Sequence, residues 1–239
     1  MKTFVLGDRG LPAQIAGEIG RRITLGELKV GEILPKESEF LTSLRVSRTT
    51  LREALKILST KGFIEAKPRL GTRVRSPEFW NTLDPVVLAW QGGADDQDAL
   101  AEELFEIRSA VEPLAAGLAA RRGSAAEYAQ IRAAFSHMTE EHATAEAAIE
   151  ADISFHLQIF QAAHNRFLLP VSSVIRAALT ISIPKTLKTF GGLQHSLKMH
   201  EAIIDAIEAR DETRASEAAT LLISATYQRN FSLGGGDTP

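Results

Sequence analysis

Residues 31–75 read GEILPKESEFLTSLRVSRTTLREALKILSTKGFIEAKPRLGTRVR, and the order of patterns in this stretch decides the fold. The spacing predicts a helix over 37–44, a tight turn at Arg45-Val46, and a further helix over 47–61 that Ser47 opens as N-cap and Gly62 ends. Two short strands are expected at 63–67 and 72–75, joined through Pro68-Arg69-Leu70-Gly71. Helix, turn, helix and hairpin in this order make a winged helix-turn-helix. Upstream, Ile15, Ile19 and Ile23 recur every four residues, one apolar stripe of a helix over 11–25, and residues 29–35 form a short extended piece.

The helix over 47–61 carries the chemistry of this module. Leu51, Leu55 and Leu58, with Ala54 beside them, form its buried stripe. Arg48, Thr49, Arg52 and Lys56 fall on the other side. A helix fits the major groove of B-DNA, and its N-terminal residues approach the base edges. Arg48 and Arg52, one turn apart, suit guanine O6/N7 or phosphate, whereas Ser47, Thr49 and Thr50 are short donors suited to phosphates at a helix N-terminus. In the hairpin, Gly71 permits a tight backbone, and Arg69 and Arg73 supply charge for a minor groove or a phosphate. An exposed basic helix without a partner is the plain alternative for any one of these residues, but not for the ordered set.

Charge divides the chain in the same way. Residues 1–75 carry 15 Lys+Arg against 8 Asp+Glu, a surplus of seven. Residues 76–239 carry 12 against 22, a deficit of ten, so the whole nets −3. A basic module for a polyanion joined to an acidic module with another task is the expected organisation. The chain has no cysteine, so disulfides, thiolate nucleophiles and Cys-ligated metals are excluded. It also has no apolar run of membrane-spanning length, which points to a cytoplasmic setting without membrane contact.

The expected division is 1–75 as DNA-binding domain, 76–97 as linker, 98–232 as helical domain and 233–239 as disordered tail. The linker holds both tryptophans, Trp80 and Trp90, two prolines and Gly92-Gly93, and is expected to pack against something. Beyond it the periodicity predicts helices only, at about 98–122, 124–142, 145–164, 167–190, 194–209 and 211–230. The fold class is therefore mainly α: an N-terminal winged helix-turn-helix and a C-terminal all-α antiparallel bundle.

Polar residues on apolar stripes mark a candidate site in that bundle. Leu104, Ile107, Val111, Leu114 and Leu118 are expected to form the core face of the first long helix, with Arg108 and Glu112 along its edge and Arg108 able to point inward. Asp152 and His156, spaced i, i+4, lie beside the stripe Ile149, Ile153, Leu157 and Phe160. His200 takes a core position among Leu193, Leu197, Ile204 and Ile207. Buried groups of this kind need partners. A hydrogen-bonded pair supplies them, and so does a divalent metal. Pro184 is expected to interrupt the helix over 167–190, leaving Lys185 and Thr186 as polar contacts for a ligand. His137, His142 and His164 read as surface residues or as supports of the site, and Asn165 as a cap or turn residue.

The ordered set Gly31…Leu34-Pro35-Lys36-Glu37…Val46-Ser47-Arg48-Thr49-Thr50-Leu51-Arg52-Glu53-Ala54-Leu55…Leu58…Gly62…Gly71-Thr72…Val74 resembles the N-terminal domain of the GntR family of transcription regulators. The resemblance implies operator contacts from Arg48, Thr49, Arg52 and the wing; at Ser38 the chain departs from the contact residue that many relatives carry. The helical remainder resembles the FadR subfamily with its FCD-type effector domain. Asp152-Ile153-Ser154-Phe155-His156 with Asn165, and His200…Ile203…Ala206-Ile207…Asp211, resemble its two ligand motifs. That implies a divalent metal on Asp152, His156 and His200, with zinc favoured over nickel or manganese. The position of the family's last ligand histidine is Leu222 here, which leaves three protein ligands unless His195 joins them.

The resemblance further implies a non-enzymatic homodimer that binds double-stranded operator DNA and a small carboxylate effector, with Arg108, Glu112, Lys185, Thr186 and His195 as effector-site candidates. The segment Trp80-Asn81-Thr82-Leu83-Asp84-Pro85…Val87-Leu88…Trp90 is similar to that of galactonate-responsive members, which points to a sugar acid and to a repressor of organic-acid catabolism genes. A metal-free, acyl-responsive regulator of the same fold is the alternative, and a metal-dependent hydrolase the remote one.

Overall fold

The computed structural model describes residues 10–91, 97–140, 144–188 and 194–232. The chain forms two compact units, Met1–Gln97 and Asp98–Pro239.

In the first unit, helix α1 (Leu11–Thr24) carries Pro12 in its first turn and buries Ile15, Ala16, Ile19 and Ile23. Helix α2 (Glu37–Leu44) ends at Arg45, whose left-handed φ of 53° turns the chain into α3 (Arg48–Thr60). Ser47 caps α3 by accepting the Thr50 N–H at 3.1 Å. The stripe Leu51, Ala54 and Leu58 is buried against Phe40 and Phe63, each large side chain contributing about 1.5–3 kcal/mol of apolar burial. The wing pairs β1 (Ile64–Lys67) antiparallel with β2 (Gly71–Val74), from Ile64↔Val74 to Lys67↔Gly71. The extended piece lies along the free edge of β2, with Gly31 and Leu34 donating to Val74 and Thr72 at 2.9 and 2.8 Å.

Residues 76–91 are fastened to this unit by its aromatic residues. Trp80 stacks on Phe63 with ring centroids 4.4 Å apart, and its indole N–H donates to the Arg75 carbonyl at 3.0 Å. Helix α4 (Pro85–Gln91) brings Trp90 edge-on to Phe63 at 5.1 Å. The Trp90 ring lies over α1, where a Cβ on Gly20 would come within 2.4 Å of it. Thr24 donates to the Trp90 carbonyl at 3.1 Å, and Lys61 pairs with Asp84. At the end of α3, Gly62 has φ +82°, and a Cβ there would strike the Phe79 carbonyl oxygen. Only glycine combines that dihedral with that approach.

The described regular structure of the second unit is helical, with no strand among the described residues: α5 (Gln97–Arg122), α6 (Ala125–Met138), α7 (Ala145–Ala162), α8 (Ser172–Lys188), α9 (Gln194–Glu208) and α10 (Glu212–Tyr227). Ser124 and Glu127 form a capping box on α6, and Thr144 and Asp211 cap α7 and α10. The α6 and α9 helices are clamped by Arg132, which donates to Asp205 and Glu208 at 2.7 and 3.0 Å. Pro113 sits inside α5. It has no N–H for the preceding turn, and its own carbonyl accepts the Ser216 hydroxyl of α10 at 2.9 Å.

Several expectations are corrected. Ile107 and Leu114 are 44% and 50% exposed rather than part of the core face of α5. The inward face is instead Leu104, Phe105, Arg108, Glu112, Ala115, Ala116 and Ala119. Leu104 and Leu118 are buried and Val111 packs against the core as expected, but alanines, which let neighbouring helices approach closely, replace Ile107 and Leu114 on that face. Helix α8 runs through Pro184 without interruption, and the irregularity precedes it as a 3₁₀ turn, Leu169–Val171. Helix α6 stops at Met138, and α10 gives way after Tyr227 to a π turn, Gln228–Ser232. Residues 233–239, expected to be disordered, lie outside the described residues, as does His142.

Candidate functional site

The first site is the surface that α3 and the wing present. Ser47, Arg48, Thr49, Arg52, Lys56, Arg69 and Gly71 are exposed. Thr50 is half-buried, its hydroxyl 2.8 Å from that of Ser47, so it completes the cap. Arg73 is half-buried and donates through Nε to Glu65 across the hairpin at 3.0 Å, which also lowers the Glu65 pKa. Arg69 takes a left-handed φ of 65° at the wing tip, beside Gly71 at 109°. Arg48 and Arg52 project side by side from the first turns of α3, their side chains 69% and 66% exposed.

The second site is enclosed by the bundle. Arg108 and Glu112, one turn apart on α5, are 2% and 4% exposed. Arg108 Nε donates to Glu112 Oε1 at 2.6 Å, and its Nη1 reaches the Ser182 hydroxyl of α8 at 3.4 Å. Glu112 Oε2 lies 2.8 Å from His156 Nδ1 on α7. His156 Nε2 is 3.3 Å from Asp152 Oδ1, and Asp152 Oδ2 is 3.9 Å from His200 Nε2 on α9. His200 Nδ1 donates to the Ser196 carbonyl at 2.8 Å. Five buried ionisable side chains from three helices thus run in one row: Arg108, Glu112, His156, Asp152, His200.

The electrostatics follow from that row. Burial alone would raise the Glu112 pKa, but the Arg108 guanidinium and the charge on His156 outweigh it and hold it at about 2. Burial would likewise depress His156, yet Glu112 and Asp152 on its two sides push it up to about 9. His200 goes down, chiefly through burial. Asp152 goes down despite its burial, because His156, 3.3 Å from Oδ1, and then His200 outweigh it.

The donor set fits a divalent cation. Carboxylate and carbonyl oxygens only accept, so both Nδ1 atoms must carry protons; once His156 releases its second proton, as metal binding requires, both Nε2 atoms present lone pairs. One ring nitrogen of each histidine and one Asp152 oxygen lie within 4.8 Å of one another, all from buried residues. Asp152 Oδ1 and His200 Nε2 are buried without a hydrogen-bond partner. Orphaned polar atoms cost free energy in a protein interior, and a cation coordinated by both would remove the cost. Glu112 and the Ser196 carbonyl fill the orienting role that metal-bound histidines require.

Beside Glu112 and His156, a cavity of about 10 Å³ lined also by Phe160, Ile203 and Ala219 has room for about one water. Leu222, at the position of the family's last ligand, is buried in the apolar core.

The sequence therefore placed Arg108, Glu112, Asp152, His156 and His200 in one cluster, and the structure brings them together. The side chains of Lys185, Thr186 and His195 lie outside the described ones. Ser182 and the Ser196 carbonyl were missed. Each lies four residues or less from a residue already singled out, but nothing in a lone serine marks it as the partner of a buried guanidinium, and a backbone carbonyl leaves no trace in sequence. Asn165 turns the chain, its side chain accepting the Phe167 N–H at 3.0 Å, and His137 and His164 are exposed beside Glu140 and Glu127.

Comparison with known proteins finds two family matches along the chain. Residues 11–74 match the model for bacterial regulatory proteins of the gntR family, and residues 103–225 match the FCD domain. The galactonate operon transcriptional repressor of Escherichia coli (strain K12) is 32% identical over 212 residues, 88% of this chain and 93% of that protein. The HTH-type transcriptional regulator YieP of the same strain is 32% identical over 223 residues, 90% and 94% of the two chains. Among solved structures, a GntR protein of Streptococcus agalactiae superposes with a TM-score of 0.51 at 25% identity, covering 91% of this chain and 99% of its own. The matched families and relatives are transcription regulators. Among the described residues no helix is long and apolar enough to cross a membrane.

Proposed function

The chain belongs to the GntR family of bacterial DNA-binding transcription regulators, in the branch with a C-terminal FCD domain, and on that premise we propose that it is a repressor released from its operator by a small hydroxycarboxylate taken up in the helical unit. Two copies read a pseudo-palindromic operator, where two-fold symmetry doubles the contacts. Arg48 and Arg52 reach base edges, and Ser47, Thr49, Lys56 and Arg69 meet the phosphates. Thr50 and Gly71 shape the two elements that make those contacts, and Arg73 acts through its pair with Glu65.

Asp152, His156 and His200 hold a divalent metal, zinc before nickel or manganese. The metal supplies a Lewis-acid anchor for an oxygen of the effector. Arg108 orients the effector carboxylate through the N–H groups that Glu112 leaves available, and Glu112 fixes the His156 ring. The relatedness to a galactonate operon repressor supports a sugar acid. The cavity of about 10 Å³ is too small for a six-carbon acid, so uptake requires neighbouring side chains to move. Such a change of state is what effector-dependent DNA affinity needs.

The observation that carries this reading is the pair of buried, unpartnered atoms, Asp152 Oδ1 and His200 Nε2, on residues that converge with His156. It is tested by a thermal-shift screen of galactonate, other sugar acids and lactate, with and without chelator. An acid that raises the melting temperature only when metal is present, and also lowers operator affinity, is the expected result. Stabilisation untouched by chelator would remove the metal from the mechanism.

A further inference from the structure

Glu37, the first residue of α2, has no part in the contacts assigned so far, yet its carboxylate stands between the two arginines that the DNA reading depends on. Oε1 lies 2.9 Å from Arg48 Nε, and Oε2 lies 3.6 Å from Arg52 Nη2. Oε1 is shielded from solvent and finds no aligned hydrogen bond, so its contact with Arg48 is an ion pair. The two guanidiniums are about two-thirds exposed, while the Glu37 side chain is 37% exposed. One acidic residue at the base of α2 thus tethers two long cationic side chains that leave α3 one turn apart.

We propose that Glu37 is a positioning residue that determines specificity: it holds Arg48 and Arg52 so that they address base edges rather than phosphates. This rests on the reading above that these arginines contact the operator. Two physical effects act in the same direction. With its Nε edge held from behind, Arg48 has its terminal N–H groups free to project outward, and a paired donor set of that kind reads guanine O6 and N7. A free arginine has many rotamers and finds the nearest phosphate at little cost, whatever the sequence. The carboxylate also leaves the three side chains one net positive charge instead of two, which weakens binding to any phosphate backbone. Glu37 therefore reduces sequence-indifferent affinity while it preorganises base contact.

Full-length protein is titrated by fluorescence polarisation against two duplexes across a salt series. One duplex is enriched from a randomised pool by the wild type, and the other is the same sequence shuffled. Glu37→Gln is expected to bind the shuffled duplex as tightly as the wild type or more tightly. Its discrimination between the two duplexes should fall about tenfold, the scale of one bidentate guanine contact. Its salt slope on the shuffled duplex should steepen by about one. Glu37→Asp keeps the charge but withdraws it by one methylene, so it should keep the wild-type slope and lose part of the discrimination.

In an Arg48→Ala/Arg52→Ala background, Glu37→Gln should cost no further discrimination. A merely structural role for Glu37 predicts a different pattern, with equal weakening on both duplexes in either background and an unchanged slope. That pattern would overturn the proposal, as would an unchanged ratio in both Glu37 variants. If Glu37→Gln does not fold, Glu37→Asp decides by the same ratio. Should Arg52→Ala leave the enriched duplex bound as tightly as before, the groove assignment itself fails, and the result is recognisable because it involves no change at Glu37.

Discussion

His156 donates its Nδ1 proton to Glu112 across 2.8 Å, and this fixes the opposite nitrogen of the ring toward Asp152. Glu112 is itself held by Arg108, so the orientation of the candidate ligand traces back to α5. Glu112→Gln keeps the shape but weakens the acceptor. Outer partners of metal-bound histidines are worth roughly 10–100-fold in metal affinity, and a zinc titration of Glu112→Gln by competition with a chromogenic chelator is expected to show a loss in that range. An unchanged affinity would show that the ring needs no such support.

Removing a ligand is a harsher change. His200→Ala deletes the imidazole whose Nε2 is buried without a partner, and purified protein is expected to retain less metal than wild type by elemental analysis. Without metal, the variant has one fewer orphaned atom than the wild type, so its apo form should melt no lower than apo wild type by more than the cost of the small void. Equal metal content in both proteins would take His200 out of the site.

Glu112 contributes to the acid limb of stability in the metal-free protein, together with Asp152, which is also lowered. The folded Glu112 pKa of about 2 lies below the ordinary value of 4.5. A carboxylate lowered in this way contributes stability that is fully present above 4.5 and is lost as pH falls toward 2, on the order of a few kcal/mol. The melting temperature should therefore drop over that interval. Glu112→Gln, which leaves Arg108 buried without its counter-charge, should be less stable at neutral pH by about 3–5 kcal/mol and should show a flatter acid limb. A parallel acid limb in the variant would assign the effect to other carboxylates.

Much of this was legible in the sequence because the patterns were local. Ser47 as cap, the stripe Leu51, Leu55 and Leu58 with Ala54 beside it, and the hairpin turn at Pro68-Arg69-Leu70-Gly71 each follow from a few adjacent residues, and the structure has all three, with Leu55 half-buried at the edge of the stripe. Asp152 and His156 were found from their i, i+4 spacing, and His200 from its place on an apolar stripe. The face of α5 was misread because Ala115, Ala116 and Ala119 carry little hydrophobic signal, although their small size is what brings helices together. The Glu37 contact was not legible either. It joins α2 to α3 across the turn at Arg45, so no helical periodicity relates Glu37 to Arg48 and Arg52.

In the first unit, Arg52→Ala should weaken binding to an enriched duplex by about 1–3 kcal/mol, measured by polarisation at fixed salt. Lys56→Ala should act more evenly across sequences and lower the salt slope by up to about one. If both variants lose affinity equally on specific and shuffled duplexes, neither side chain reads bases.

Gly20→Val is expected to unseat Trp90, since even a Cβ at position 20 would lie 2.4 Å from the ring. The first unit should lose a few kcal/mol of stability, as overpacked cores do, with loss of the near-ultraviolet circular dichroism of the indole. A melt indistinguishable from wild type would mean that the ring has room to retreat.

The placement of the two indoles also decides what light can report about this molecule. Both tryptophans of the chain, Trp80 and Trp90, are packed on Phe63, so emission excited beyond the tyrosine absorption watches the winged-helix half, whereas Tyr128 and Tyr227 belong to the helical unit. An acid added to the solution that alters this indole emission has been felt in the unit that reads DNA, and a spectrofluorometer alone can then register the message rather than the capture.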